Sequence, residues 1–194
     1  MYNKYYLIST GCCGTKAVLT FLKQSGLIRP QAWHSHRRNP NDVKAPPDSL
    51  VYLFANPYNS ILCMMSRFNR GNAHIKNIGG DIGGYSNFRP KGGWNIESYL
   101  KHGKDFFMLE NHFDIWYNSG HNVMFVKLER LPEVWPVILE RWGMDPKTVD
   151  QGFELKERNS NWQQQPDNIK QGLQNMLGKF YARYQAFDDY FIND

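Results

Sequence analysis

The stretch "YYLISTGCCGTKAVLTFL", Tyr5 to Leu22, frames the rest of the chain. Tyr5 to Thr10 is rich in β-formers and has no polar residue before Ser9, the pattern of a buried parallel strand. Thr15 to Gln24 places Ala17, Val18, Phe21 and Leu22 at helical spacing, and Gly26 punctuates its end. Between them Gly11 and Gly14 bracket a short turn. A helix start offers unpaired N–H groups and the positive end of the dipole, and glycines before it let the backbone wrap a phosphate. Thr15 adds a hydroxyl and Lys16 a charge in the first turn. An ATPase loop reads G-x-x-x-x-G-K-[ST], with lysine before the hydroxyl residue. Here the order is Gly-Thr-Lys and the glycine interval is two residues short, which disfavours a nucleoside-triphosphate hydrolase. The other reading of the turn is a tight strand–helix connection whose glycines serve packing alone.

Outward from this unit, strands and helices alternate. Pro30 to Pro47 reads mostly as loop and holds "HSHRRNP". "LVYLFA" (Leu50 to Ala55) is a second buried strand. Asn56-Pro57 opens a helix to about Phe68, with Asn as cap and Pro in the first turn. Asn69 to Gly93 holds three Gly-Gly pairs and reads as a long loop or lid. Ile96 to Tyr117 is helical, broken near Gly103. "NVMFVKL" (Asn122 to Leu128) is a third strand. Leu131 to Trp142 is an amphipathic helix ended by Gly143, and Pro166 to about Phe187 is a final helix. "FYARYQAFDDYF" (Phe180 to Phe191) reads as the apolar face of that last helix. Alternating strands and helices predict one α/β domain over residues 1–194, with a mostly parallel sheet between helices in three layers.

The composition fits. A chain of 194 residues, 41% hydrophobic and 15% aromatic, supports one domain with a core. The net charge of +5 favours an anionic ligand and is too mild to require nucleic acid, so none is expected as a partner. No apolar run approaches a membrane span, and no signal peptide is expected. The odd set Cys12, Cys13 and Cys63 forms no disulfide framework and fits a reducing compartment. A cytoplasmic protein is expected.

Several segments carry a resemblance. "STGCCGTKAVLTFL" resembles the 5′-phosphosulfate loop of the sulfotransferases that use PAPS (3′-phosphoadenosine 5′-phosphosulfate). That loop commonly reads Lys-x-Gly-Thr-Thr or Lys-x-Gly-Thr-Arg after the first strand. "VYLFANPYNSILCMMSRF" (Val51 to Phe68) resembles the second signature, a strand followed by Arg-Asp-Pro and a helix carrying a serine. "FMLENHFDIWYNSGHNVMFVKLERL" (Phe107 to Leu131) resembles a helix with a late Trp, then a strand ending near Glu-x-Leu. "FELKERNSNW" (Phe153 to Trp162) resembles the basic loop that closes over the nucleotide. The segments occur in family order and cover most of the chain.

The resemblance implies a P-loop sulfotransferase fold, PAPS as donor and PAP as its desulfated product, and no metal. It implies transfer of a sulfuryl group to a hydroxyl or amine of a small-molecule or carbohydrate acceptor. The donor loop would be Gly11, Cys12, Cys13, Gly14, Thr15, Lys16 and Ala17, with Lys16 beside the 5′-phosphate. The chain also departs from the family. The lysine that steadies the bridging oxygen falls on Cys12, and a thiol has no positive charge to offer. The 3′-phosphate arginine falls on Ala55 and the helix serine on Cys63. Each lost charge-assisted contact costs roughly 1.5–3 kcal/mol. Asn56, Ser60, Arg67, Lys156, Arg158 and Ser160 are the candidate substitutes. Those departures keep open a non-catalytic relative that binds an anionic nucleotide, sugar or protein partner. A nucleotide or small-molecule kinase is a third option, disfavoured by the Gly-Thr-Lys order.

An acceptor base is usually His or Glu. His34 and His36 follow the first helix, where the chain returns to the carboxyl edge of the strands, the ligand-binding edge of open α/β sheets. Either is a candidate, set against an ordinary loop histidine. Glu110 and His112 are further candidates, set against a solvated helix face. Trp116, Trp135 and Trp142 are expected in the core, and Trp94 at the acceptor. Cys12-Cys13 with distant histidines has no metal-ligand spacing.

Overall fold

The computed structural model describes residues 5–11, 14–24, 33–46, 48–66, 96–148 and 160–193. The strands are β1 (Tyr6–Ser9), β2 (Trp33–Ser35), β3 (Leu50–Phe54), β4 (Val123–Lys127) and β5 (Tyr190–Asn193). The helices are α1 (Thr15–Gln24), α2 (Pro57–Ser66), α3 (Ile96–Lys101), α4 (Leu109–Tyr117), α5 (Leu131–Arg141) and α6 (Asp167–Ala186). The strands form one sheet in the order β2-β1-β3-β4-β5. The first four are parallel and β5 is antiparallel to β4. This is a small mixed α/β domain with its sheet flanked by helices.

The pleat divides the core in two. Leu7, Val51, Leu53, Met124 and Val126 face one side and pack with Val18 and Leu22 of α1 and with Val134, Trp135, Ile138 and Leu139 of α5. Tyr6, Ile8, Tyr52, Phe54 and Phe125 face the other side, against apolar residues of α2, α3, α4 and α6. Every residue of β1, β3 and β4 is buried, so these strands read as continuous apolar runs rather than as alternation. Each buried Leu, Ile, Val or Phe contributes roughly 1.5–3 kcal/mol by leaving water. Trp116, Trp135 and Trp142 are in the core as expected, none more than 4% exposed.

The connections follow from handedness. From β1 the chain passes through α1 to β2 on one side of β1; from β3 it passes through α2 to α4 and reaches β4 in the opposite direction. Right-handed crossovers running in opposite directions place their helices on opposite faces. That is the observed arrangement, since α1 shares a cluster with one face of the sheet and α2 and α4 with the other. The boundary between the two directions lies between β1 and β3.

Two expectations need correction. The segment predicted as mostly loop contains β2, three residues long and held by its parallel register Tyr6↔Trp33, Leu7↔His34 and Ile8↔Ser35. Of the segment Phe180 to Phe191, only Phe180 to Ala186 belongs to the last helix. That helix ends at Ala186, and the chain turns back as β5, so the sheet gains an antiparallel edge. Phe191 pairs with Phe125, their rings stacked at 5.0 Å and 7°. The predicted break near Gly103 is present, with Gly103 at φ 60° between α3 and α4. The loop Asn69 to Gly93 and Trp94 lie outside the described residues.

Candidate functional site

Ligands of open α/β sheets bind at the carboxyl ends of the strands, in the crevice where the strand order reverses. Here that crevice lies between β1 and β3. The loop after β1 leads to Gly14 and α1, and the turn after β3 is Ala55-Asn56 before α2. Ser9 pairs with Leu53 in register, so the two connections leave the sheet on neighbouring strands, about 4.8 Å apart. The ends of β1 and β3 therefore lie side by side at this edge.

On the β1 side, Gly11 is at φ 102° and Gly14 at φ 71°, a region that glycine enters without the penalty of a Cβ. The Gly14 carbonyl accepts from Ala17 N at 2.8 Å and Val18 N at 3.1 Å, which starts α1 at Thr15. Thr15 is buried, and Ala17 is exposed. A Cβ on Gly14 would stand 2.4 Å from Leu128 Cδ1, so close packing is one reason for this glycine. Cys12, Cys13 and the Lys16 side chain lie outside the described residues.

His36 joins this loop. Its Nδ1 lies 2.7 Å from the Ser9 carbonyl oxygen and 3.2 Å from Ser9 Oγ. The Gly11 amide donates to the same Oγ at 3.2 Å. A carbonyl only accepts, so Nδ1 is the protonated nitrogen of the neutral ring and Nε2 holds the basic lone pair. His34 lies in β2 opposite Leu7; its side chain is outside the described residues.

Behind His36 stands His112, 0% exposed. It belongs to the core rather than to the solvated helix face against which it was weighed. Its Nδ1 is 2.8 Å from the Tyr52 hydroxyl and its Nε2 is 3.3 Å from the His36 carbonyl. Trp116 Nε1 donates to the Arg37 carbonyl at 2.9 Å. α4 thus holds the main chain that follows β2. The signal for this was in the sequence: Leu109, His112, Phe113 and Trp116 share one helical stripe. Glu110 accepts from Arg183 at 3.0 Å, and Asp114 from the same guanidinium at 2.7 Å. These bonds, that to Asp114 first, raise the Arg183 pKa.

On the β3 side, Asn56 Oδ1 accepts from Tyr58 N at 3.0 Å and Asn59 N at 3.4 Å, the predicted cap. Ser60 is buried, and its amide donates to the Asn56 carbonyl. The Asn56 amide donates to Glu129 Oε1 at 3.0 Å, and Tyr184 OH donates to Glu129 Oε2 at 2.9 Å. Glu129 follows β4 in a short turn over Leu128–Arg130, and sequence reasoning gave it no role. Asn59 Oδ1 accepts from Trp162 N at 2.9 Å, which ties the stretch beginning at Ser160 to the first turn of α2. Trp162 packs on Tyr58, and Tyr58 stacks on Tyr181 at 4.4 Å. Burial, then the neighbouring Tyr181, pushes the Tyr58 phenol pKa up. Arg67, Lys156 and Arg158 lie outside the described residues.

Thr10 and Ala55, Pro57 and Ser60 from the two connections line one cavity with Tyr52, Phe54, Leu109, Phe113 and Phe180. Its volume is about 10 Å³, at the lower limit for one water. Among the described residues no group of three or more His, Cys, Asp or Glu is placed to hold a metal, and no helix is long and apolar enough to cross a membrane. Comparison with protein-family models, curated proteins and solved structures finds no match to this chain.

Proposed function

We propose that the chain holds an anionic nucleotide at the Gly11–Ala17 loop and is a divergent member of the PAPS-dependent sulfotransferase type. The observation that carries this reading is the joining of Gly11 and His36 through Ser9 at the end of β1, beside the strand that leads to Asn56, at the reversal of strand order. The activity proposed is sulfuryl transfer to a hydroxyl or amine of a small-molecule or carbohydrate acceptor. PAPS, when bound, supplies the sulfuryl group, and the acceptor oxygen or nitrogen replaces the phosphate oxygen on sulfur. His36 takes the acceptor's proton at Nε2, because Nδ1 is held by Ser9. Thr15 and Lys16, at the first turn of α1, hold the 5′-phosphate.

The residues fit the two ends of PAPS unequally. The α1 side supports a 5′-phosphate. At the α2 side, Glu129 places a carboxylate on the Asn56 amide, and Ala55 replaces an arginine. That observation favours a second reading, a relative that binds an anionic nucleotide, sugar or protein partner without sulfuryl transfer.

Calorimetric titration with PAP, with ATP as control, tests the proposal. Micromolar PAP binding with clearly weaker ATP binding, reduced at least several-fold by Lys16→Ala, supports the donor site. An unchanged affinity in Lys16→Ala removes Lys16 from it. No binding of PAP by folded protein favours the second reading. A PAP-binding protein in which Cys12→Lys raises sulfuryl transfer would place the missing cation at that position.

A further inference from the structure

The chain leaves β2 after three residues, so few bonds of the sheet hold the residues that follow. α4 supplies the hold. His112 Nε2 lies 3.3 Å from the His36 carbonyl oxygen, and Trp116 Nε1 donates to the Arg37 carbonyl at 2.9 Å. Both side chains are 0% exposed, so the packed core sets where these two donors stand. A carbonyl only accepts, so His112 carries its hydrogen on Nε2. In the neutral ring Nδ1 then accepts from the Tyr52 hydroxyl at 2.8 Å. At His36 the order is reversed. Its Nδ1 donates to the Ser9 carbonyl at 2.7 Å, which makes Nε2 the basic nitrogen. The two rings are opposite tautomers, joined through the His36 carbonyl.

We infer that His112 is a positioning residue: it fixes the main chain at His36, so that the His36 ring meets Ser9 in its Nδ1–H form and has Nε2 as its basic nitrogen at the carboxyl edge of the sheet. His112 acts through His36 alone. The ring it places stands beside the Gly11 loop, since Ser9 Oγ is 3.2 Å from His36 Nδ1 and accepts from the Gly11 amide at 3.2 Å. A histidine ring has two neutral forms, and the bond made by one nitrogen decides which is present. Moving the main chain at His36 takes Nδ1 from the Ser9 carbonyl and removes that choice. The use of Nε2 to take an acceptor's proton rests on the proposed function; the bonds that set the tautomer do not.

The test reads the ring nitrogens by NMR in chain labelled with 15N-histidine, at about pH 8, above the ordinary histidine range. His36→Gln identifies the His36 signals by their loss. In the wild type the Nδ1–H form of His36 should exceed the other by about tenfold, the worth of one hydrogen bond, and His112 should be protonated on Nε2. A wild type with the opposite form at either ring overturns the inference. Two variants separate positioning from mere support of the fold. The asparagine amide reaches as far as an imidazole Nδ1 and the glutamine amide as far as Nε2, so His112→Asn loses the His36 carbonyl and His112→Gln keeps a donor for it. His112→Asn should lower the His36 ratio at least about threefold, and His112→Gln should restore it. A His112→Asn chain that is less stable to urea but keeps the ratio within about twofold overturns the inference, as does a His112→Gln chain that does not restore it. Should His112→Asn fail to fold, Trp116→Phe removes the neighbouring donor and should lower the ratio at least about twofold; an unchanged ratio there overturns the inference. Titration of the wild type with PAP keeps the two readings apart. A fixed His36 tautomer that His112→Asn releases, in a chain that binds no PAP, supports the positioning and overturns the proposed function.

Discussion

Gly14→Ala is the sharpest probe of the loop. Gly14 is at φ 71°, where a residue with a Cβ is strained by roughly 1–2 kcal/mol. The new Cβ would also stand 2.4 Å from Leu128 Cδ1. Leu128 is 2% exposed, so its methyl has no open space to enter. Overpacking of that kind costs roughly 1–3 kcal/mol. The two effects together predict a loss of about 2–5 kcal/mol, or a Tm lower by roughly 5–15 °C for a chain of this size. A double-mutant cycle with Leu128→Ala separates them. Leu128→Ala alone should cost about 2–5 kcal/mol through its cavity. In the double variant the steric clash is gone while the backbone strain and the Leu128 cavity remain, so the summed losses should exceed the measured one by about 1–3 kcal/mol. Urea unfolding followed by circular dichroism measures all four species. Additive losses, to within about 0.5 kcal/mol, would refute the contact between the loop and Leu128. A Gly14→Ala loss below about 0.5 kcal/mol would refute the strain as well, against the roughly 1–2 kcal/mol it requires.

Other perturbations read other parts of the structure. Asn56→Ala removes the acceptor for two first-turn amides and should lower stability by about 1 kcal/mol, measured by the urea midpoint. His112→Leu removes the 2.8 Å bond to the Tyr52 hydroxyl and should cost about 1–3 kcal/mol; adding Tyr52→Phe should recover part of that loss, and no recovery would deny the pairing. Asp105 has its pKa raised by burial to about 6 from 3.8, although Leu109 N, Phe107 N and Tyr99 OH donate to it. Between these values the folded state keeps a proton that the unfolded state has lost, so this group's contribution is fully present below pH 3.8 and is lost as pH rises through about 6. At 1.36 kcal/mol per unit the loss is about 3 kcal/mol. The stability of Asp105→Asn relative to wild type should therefore climb over that window, and a flat difference would remove the burial argument.

Much of the fold was legible because periodicity and punctuation agreed. Val18 and Leu22 sit one turn apart in α1 and both are buried. Asn56-Pro57, Gly103, Gly143 and Pro166 each stand at an element boundary. The misses share a physical cause. β2 and β5 are three and four residues long, and their partners impose the extended form. "WHS" becomes a strand by pairing with β1, and Phe191 by stacking on Phe125. Local composition says little about such pairing. The candidate site divides the same way. Gly11 and Asn56 were visible as loop and cap. The bonds from Ser9 to His36 and from Glu129 to Asn56 span 27 and 73 residues, beyond the reach of local pattern. His112 was legible as part of an apolar stripe and was misjudged because histidine was weighed by its charge rather than by its position.

The two helix starts at the crevice differ in a way that topology alone does not dictate. Both lie at the carboxyl edge, one beyond β1 and one beyond β3, and both dipoles offer a positive end. α2 satisfies its own start, with an asparagine cap and a carboxylate from the turn after β4. α1 starts from Gly14, a residue without a side chain to act as cap, whose carbonyl opens the helix. Asparagine is a strong cap and glycine a weak one. A chain selected only for stability would gain by capping α1 with Asn, Asp or Ser. At Gly14 the positive φ and the nearby Leu128 methyl oppose that gain, and they also keep an anionic or polar side chain off the helix start. The same geometry that packs the loop therefore keeps a capping side chain off position 14, and in this the two helix starts differ.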